Sequence, residues 1–206
     1  MMLSDIEREI AVAIVESVVE YGILESLSEG RAYDWFYDNE LLREGFNVHC
    51  GMTKACISHD DLFDWVIKVG FTRGLEVDHA MREYQNYCFA EQEGLDYYFP
   101  KTVYLGEFGG RPFFLQEAVE CDEDEITSEW YDRLRDKYDE EGEEYDCDRL
   151  WDEVYELEDE ERAYLLFGNQ KLVKFLKEHD IGDLHEGNFG ASGDHLVICD
   201  FSGWIG

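Results

Sequence analysis

Three oxygen-bearing side chains towards the C-terminal end of this chain carry the spacing of a cation and phosphate site: Asp183, Asn188 and Asp200. They fall within Gly182-Asp-Leu-His-Glu-Gly-Asn-Phe-Gly190 and the later run His195-Leu-Val-Ile-Cys-Asp200-Phe-Ser-Gly203. The first two lie on a turn-rich loop, and Asp200 ends a short apolar run, Leu196 to Cys199, that reads as a strand. Carboxylate and amide oxygens are hard ligands. Magnesium takes one or two of them from a protein and draws the rest from phosphate and water. The remaining carboxylate is free to act as a base, and nucleotide phosphate is the partner this chemistry implies. Turn formation by Asp and Asn is the competing reading of these residues taken alone.

Other catalytic constellations are missing from the sequence. His49, His59, His79, His179, His185 and His195 form no H-x-x-x-H pair, and the cysteines at 50, 56, 88, 121, 147 and 199 form no C-x-x-C, so zinc spacing is absent. Neither a Gly-x-Ser-x-Gly elbow nor a Walker-type phosphate loop occurs.

Composition narrows the class. The 206 residues hold 50 acidic against 17 basic side chains, a formal charge of −33, which repels a phosphodiester backbone and argues against direct nucleic-acid binding. A hydrophobic fraction of 45%, an aromatic fraction of 15% and only two prolines argue for a folded chain. Unpatterned cysteines, the lack of a signal-peptide pattern and the lack of a membrane-length apolar stretch lead to the expectation of a reduced, soluble, cytoplasmic protein with no membrane partner. The charge is segmental: residues 120 to 161 hold 22 acidic and four basic side chains.

The elements that must position the site are legible as patterns. Leu3, Ile6, Ile10, Ala13, Ile14, Val18, Ile23, Leu24 and Leu27 recur near helical spacing, with Ser4 and Asp5 to start the helix and Gly30 to end it. Three short strands are expected at Phe46–Cys50, Thr53–Ser58 and Asp64–Val69, then a helix over 75–93 stopped by Gly94, then a hairpin of 102–106 and 112–119 turning through Glu107-Phe-Gly-Gly-Arg111. The order is that of an α+β unit, not an alternating parallel one. The acid-rich stretch places Trp130, Leu134 and Tyr138, then Leu150, Trp151, Val154, Tyr155 and Leu157, at helical intervals, which predicts two acidic helices broken near Gly142. Another helix is expected over 168–178, capped by Asn169.

With those elements in place, the D-L-H-x-G-N run at 183–188 resembles the catalytic loop of the protein-kinase-like superfamily, closest to its aminoglycoside and choline phosphotransferase branch. The resemblance extends upstream in order. Val66-Ile67-Lys68-Val69 is similar to the strand whose lysine grips the α and β phosphates of ATP, and Glu83, with Glu91 as the other candidate, falls in the helix that pairs with that lysine. Phe113-Phe-Leu-Gln-Glu-Ala-Val119 is similar to the hinge, whose backbone between Glu117 and Val119 would bond the adenine edge. The resemblance covers residues 45 to 203 and implies a protein-kinase-like two-lobe fold, with a small antiparallel sheet lobe (31–119), a reduced, mostly helical C-terminal lobe (120–206) and the N-terminal helix (1–30) beside them. It also implies ATP and Mg2+ as cofactors: Lys68 and Glu83 on the nucleotide, Asn188 and Asp200 on the metal, and Asp183 orienting an acceptor hydroxyl. His185 and Gly187 match the loop for its shape.

The chain departs from that family in four places. The phosphate-covering loop, Asn47 to Lys54, offers only Gly51, with Lys54 as compensating charge. Ile181 stands where protein kinases carry His, and Ser202 where the metal motif carries Gly. The sequence ends six residues after Asp200, so the helices that complete the large lobe are lacking, and the acidic segment or the N-terminal helix must hold the substrate. Two functions follow. One is a divergent phosphotransferase acting on a hydroxyl of a protein or a small cationic acceptor. The other is a non-catalytic, pseudokinase-like acidic body that docks a basic protein or imitates nucleic acid, a profile suited to small viral proteins that act on a host. A reduced lobe with an added helix is compatible with a homodimer.

Overall fold

The computed structural model describes residues 3–20, 22–23, 37–38, 44–50, 53–71, 77–142 and 145–202. The chain is α+β and divides into two compact units, Met1–Gln92 with Pro100–Ala118, and Glu93–Phe99 with Val119–Gly206. Among the described residues no helix is long and apolar enough to cross a membrane.

In the first unit, α1 (Asp5–Glu20) precedes β1 (Phe46–Cys50), β2 (Lys54–His59), β3 (Trp65–Gly70), α2 (His79–Glu93), β4 (Thr102–Phe108) and β5 (Arg111–Glu117). The strands form one antiparallel sheet in the order β1-β2-β3-β5-β4. Strand periodicity of two explains how the sheet serves two helices at once. Trp65, Ile67 and Val69 of β3, Ala55 and Ile57 of β2, and Phe113 and Leu115 of β5 share a core with Ala11, Ile14, Val15 and Val18 of α1. Each fully buried Ile or Val there contributes roughly 1.5–3 kcal/mol. The intervening positions, Lys68 on β3 with its register partners Cys56 on β2 and Phe114 on β5, occupy the other face. The Tyr84 ring of α2 lies 5.3 Å from that of Phe114.

The N-terminal helix packs into the sheet's core, but its stripe is shifted: Ile6 is 70% exposed and Ala13 also faces solvent, so the buried positions are Ala11, Ile14, Val15 and Val18. Beyond Ile23 the expected continuation to Gly30 lies outside the described residues. A Ser4–Glu7 capping box starts α1: Glu7 N–H donates to Ser4 Oγ at 3.2 Å, and Ser4 N–H donates to Glu7 Oε2 at 2.7 Å. The Trp65 indole N–H then donates to Glu7 Oε1 at 3.1 Å, tying the helix start to β3.

The second unit holds α3 (Glu123–Glu141), α4 (Cys147–Glu156), α5 (Asp159–Phe167), α6 (Gln170–Glu178) and a hairpin of β6 (Phe189–Ser192) and β7 (His195–Ile198). The acid-rich segment forms three helices where two were expected. α4 gives way to α5 at Leu157-Glu158 with no glycine or proline, and the restart is fixed by Glu158 N–H donating to Glu161 Oε2 at 3.1 Å. Each of the first two acidic helices opens on an aspartate cap, Asp122 and Asp146, with Glu123, Asp124 and Glu125 in the first turn of α3 and Asp148 in that of α4, where the helix dipole favours them. Asn169 caps α6 as its sequence position predicts, accepting from the N–H groups of Lys171 and Leu172. Ile126, Trp130 and Leu134 of α3 are buried, as are Leu172, Phe175 and Leu176 of α6 and Phe189 of β6, so these elements hold a core.

Candidate functional site

In the first unit the candidate residues meet in a buried ionic network. Lys68 projects from β3 onto the face covered by α2, and Glu83 belongs to the buried stripe of α2 with Ala80, Tyr87 and Ala90. A carboxylate at one position of such a stripe is costly to bury unless it is paired. Here Lys68 Nζ lies 2.5 Å from Glu83 Oε1, with the two side chains 7% and 1% exposed. Gln116 of β5 donates from Nε2 to the same oxygen at 2.6 Å and to Thr102 Oγ1 at 3.0 Å. The other oxygen, Oε2, lacks a partner with hydrogen-bond geometry and is met as an ion pair by Lys54 Nζ at 2.7 Å. Two ammonium groups therefore converge on one carboxylate. Glu91, the other candidate partner, is exposed.

The approach of α2 depends on Gly70 at the end of β3. A Cβ there would sit 2.3 Å from Asp78 Oδ1, the atom that accepts the Met81 N–H at 3.0 Å and so caps the helix that carries Glu83. Arg111 fastens the same corner with a hydrogen bond to the Gly70 carbonyl.

Lys54, expected as compensating charge for a glycine-poor loop, is 4% exposed and shares the Glu83 carboxylate with Lys68. Gly51 lies outside the described residues. At the expected hinge, the Glu117 N–H donates to Lys101 O at 2.9 Å and the Ala118 N–H to Asp64 O at 2.9 Å. Those two amides are engaged inside the unit, and Val119, the far end of the expected hinge, begins the second unit.

In the second unit the loop is held by its backbone. Asp183 is exposed and has φ of +60°, a left-handed conformation that costs an L-residue about 1 kcal/mol. Its N–H donates to Asp159 Oδ2 at 2.8 Å, the next N–H, of Leu184, donates to Asp159 Oδ1 at 2.9 Å, and the Asp183 carbonyl accepts from Asn188 Nδ2 at 2.6 Å. Arg162, one turn along α5 from Asp159, donates to the Leu184 carbonyl at 3.2 Å and lies over the Trp130 ring. Conformation at 183 is thus fixed from both sides of the residue, as a strained backbone requires. His185 shapes the next turn by accepting the Gly187 N–H on Nδ1 at 3.1 Å. Asp159 also lines a concavity of about 390 Å³ with Glu158, Glu160 and Asp180, so water reaches the clamp.

Asn188 and Asp200 sit on backbones that are bonded together, since Cys199 N–H donates to Asn188 O at 3.0 Å. Asp200 Oδ1 accepts the Ser202 hydroxyl at 3.2 Å, so Ser202 positions the carboxylate. With its amide nitrogen turned to Asp183, Asn188 has its amide oxygen at the opposite end. Asn188 and Asp200 are the residues here whose oxygens could hold magnesium, with phosphate and water supplying the rest. Among the described residues no three His, Cys, Asp or Glu side chains form a metal-holding group.

Asp159, Gln116 and Thr102 were not singled out from the sequence. Asp159 is one of 22 acidic residues in its segment and carries no local signal; Gln116 alternates with the apolar Phe113 and Leu115 on β5, and that alternation is a signal that could have found it. Set against known proteins, the chain matches no protein-family model, no curated protein and no solved structure.

Proposed function

We propose that this chain is a divergent kinase-like phosphotransferase that moves the γ-phosphoryl group of ATP to a hydroxyl of a protein or small cationic acceptor. The observation that carries the reading is the buried Lys68–Glu83 pair. Burying an ammonium and a carboxylate together is poorly rewarded as stability alone, because desolvation offsets most of their attraction. A pair retained there suits a lysine that must be held straight for a ligand. Lys68 binds the α and β phosphates, and Glu83, steadied by Gln116 and Lys54, orients it.

Asn188 and Asp200 hold magnesium, which when bound screens the charge of the phosphates. Asp183, fixed in its backbone and open at its carboxylate, orients the acceptor hydroxyl and accepts its proton as the acceptor oxygen bonds to phosphorus and the bond to the β-phosphate oxygen breaks. The negative charge of the acidic helices draws a cationic acceptor from solution.

The second reading, an acidic body that docks a basic partner or imitates nucleic acid, is favoured by the engaged amides of Glu117 and Ala118. Thermal unfolding with ATP, with and without magnesium, separates the two. The phosphotransferase reading expects a magnesium-dependent rise in melting temperature, and no rise at millimolar ATP overturns it. Asp183→Asn should keep that rise while losing transfer of labelled γ-phosphate; equal transfer in wild type and variant removes the role given to Asp183.

A further inference from the structure

A pair of sulfur atoms lies beside the loop for a reason visible in the backbone. Glu120 and Ala191 exchange N–H to O bonds of 3.1 and 2.8 Å, which lays the segment entering the second unit along β6. A Cβ on Gly190 would fall 2.4 Å from Val119 Cγ1, 2.6 Å from the Glu120 carbonyl and 3.0 Å from Cys121 Sγ. Glycine at 190 therefore admits both the segment and the Cys121 side chain. At the other edge, the Cys199 backbone is held by Asn188 O at 3.0 Å. The two thiols come within 3.5 Å, Sγ to Sγ, with Cys121 exposed and Cys199 half-buried.

We propose that Cys121 and Cys199 form a site of reversible oxidation, closed to a disulfide by a hydroperoxide and reopened by a dithiol. A disulfide needs its sulfurs at about 2.05 Å, so a movement of roughly 1.5 Å closes the bond, within reach of side-chain rotation. Cys121 meets the oxidant because it is the exposed partner. Its thiolate attacks one peroxide oxygen, the O–O bond breaks, and a sulfenic acid and hydroxide form. The Cys199 thiolate then attacks the Cys121 sulfur, forming the S–S bond and expelling hydroxide. In sum, two thiols and one hydrogen peroxide give a disulfide and two waters; the sulfurs lose two electrons and the peroxide gains them. The bond fastens the segment at 119–121 to the residue preceding Asp200. The chemistry belongs to the thiols and holds whether or not the chain transfers phosphate.

The test is to treat the reduced full chain with equimolar hydrogen peroxide, block remaining thiols by alkylation and map peptides without reduction. The expected result is one cross-linked peptide pair joining Cys121 to Cys199 within a single chain, two hydrogens lighter than the reduced pair and restored by dithiothreitol. Cys199→Ser should instead leave Cys121 as a sulfenic acid that dimedone captures, and Cys121→Ser should give no cross-link; an unchanged melting temperature shows that each variant folds. If Cys199→Ser does not fold, Cys199→Ala carries the same expectation. Full alkylation of Cys121 after peroxide, or its appearance joined to a different cysteine or to a second chain, overturns the proposal.

Discussion

The two units hold their candidate residues in opposite ways. Around Glu83 the charged side chains themselves are sunk, 1% to 7% exposed, and each is oriented by another side chain. Around Asp183 the side chain is open to solvent, and it is the backbone that Asp159 and Asn188 grip. In the first arrangement placement and stability are one property, since loss of a partner leaves buried charge behind. In the second they are separable. A carboxylate can be removed there without disturbing the scaffold that aims it.

The largest effect that this contrast predicts is at Glu83. Glu83→Ala leaves two buried ammonium groups facing a cavity, which should cost about 3–5 kcal/mol in urea unfolding. Adding Lys68→Met to it should recover part of that loss, because the double variant buries one uncompensated charge fewer. A loss below about 1 kcal/mol, or additive effects of the two changes, would show that the network is not coupled.

Next comes the clamp. Asp159→Ala removes an ionised acceptor from two successive amides, and with water reaching the site about 1–2 kcal/mol should be lost. The sharper readout is local. Hydrogen exchange at the Asp183 and Leu184 amides should accelerate more than exchange in the core of β3, and unchanged protection at those two amides would mean that something other than Asp159 holds the loop.

A smaller effect distinguishes backbone from side chain at Asp183 itself. Asparagine tolerates the left-handed region nearly as well as aspartate, whereas alanine does not. Asp183→Asn should unfold within about 0.5 kcal/mol of wild type and Asp183→Ala about 1 kcal/mol earlier. Identical stabilities for the two variants would mean that φ of +60° at this position carries no strain.

How much of this was readable beforehand follows from the same contrast. Fifteen residues separate Lys68 from Glu83; Lys68 stands out as a charge inside an apolar strand, whereas Glu83 is reached through the resemblance, because the helical spacing legible in the sequence runs through Ala80, Tyr84, Tyr87 and Cys88 and passes it by. Periodicity therefore exposes only the lysine. Asp159 shows no such anomaly, since a carboxylate at the first position of an acidic helix is what the helix dipole already favours. Its grip on residues 183 and 184 spans more than twenty positions of sequence and depends on how α5 packs. The break between α4 and α5 was hidden for a related reason: Leu157 and Glu158 contain no residue type that stops a helix, and the capping contact from Glu161 becomes visible only once the turn has formed. At the expected hinge a strand end can bond either a neighbour or a ligand, and sequence does not say which; Lys101 takes the Glu117 N–H.

The smallest prediction concerns the start of α1, where a carboxylate is held by a cap and not by a buried ionic network. The hydroxyl and then the backbone N–H of Ser4, with a lesser contribution from the Trp65 indole, draw the Glu7 carboxyl below its ordinary value of 4.5, against a small opposing effect of desolvation. A carboxyl whose folded value is lowered binds protons more readily in the unfolded chain. Its contribution to stability is therefore present above pH 4.5 and is lost as the pH falls through the lowered folded value. Glu7→Gln keeps an acceptor for Trp65 but cannot titrate, so the stability difference between wild type and variant should be widest near neutrality and should close below pH 4.5. Urea unfolding of both proteins across that range reads it directly. A gap that stays constant down to about pH 3 would mean that the Ser4 contacts do not discriminate between charged and neutral Glu7.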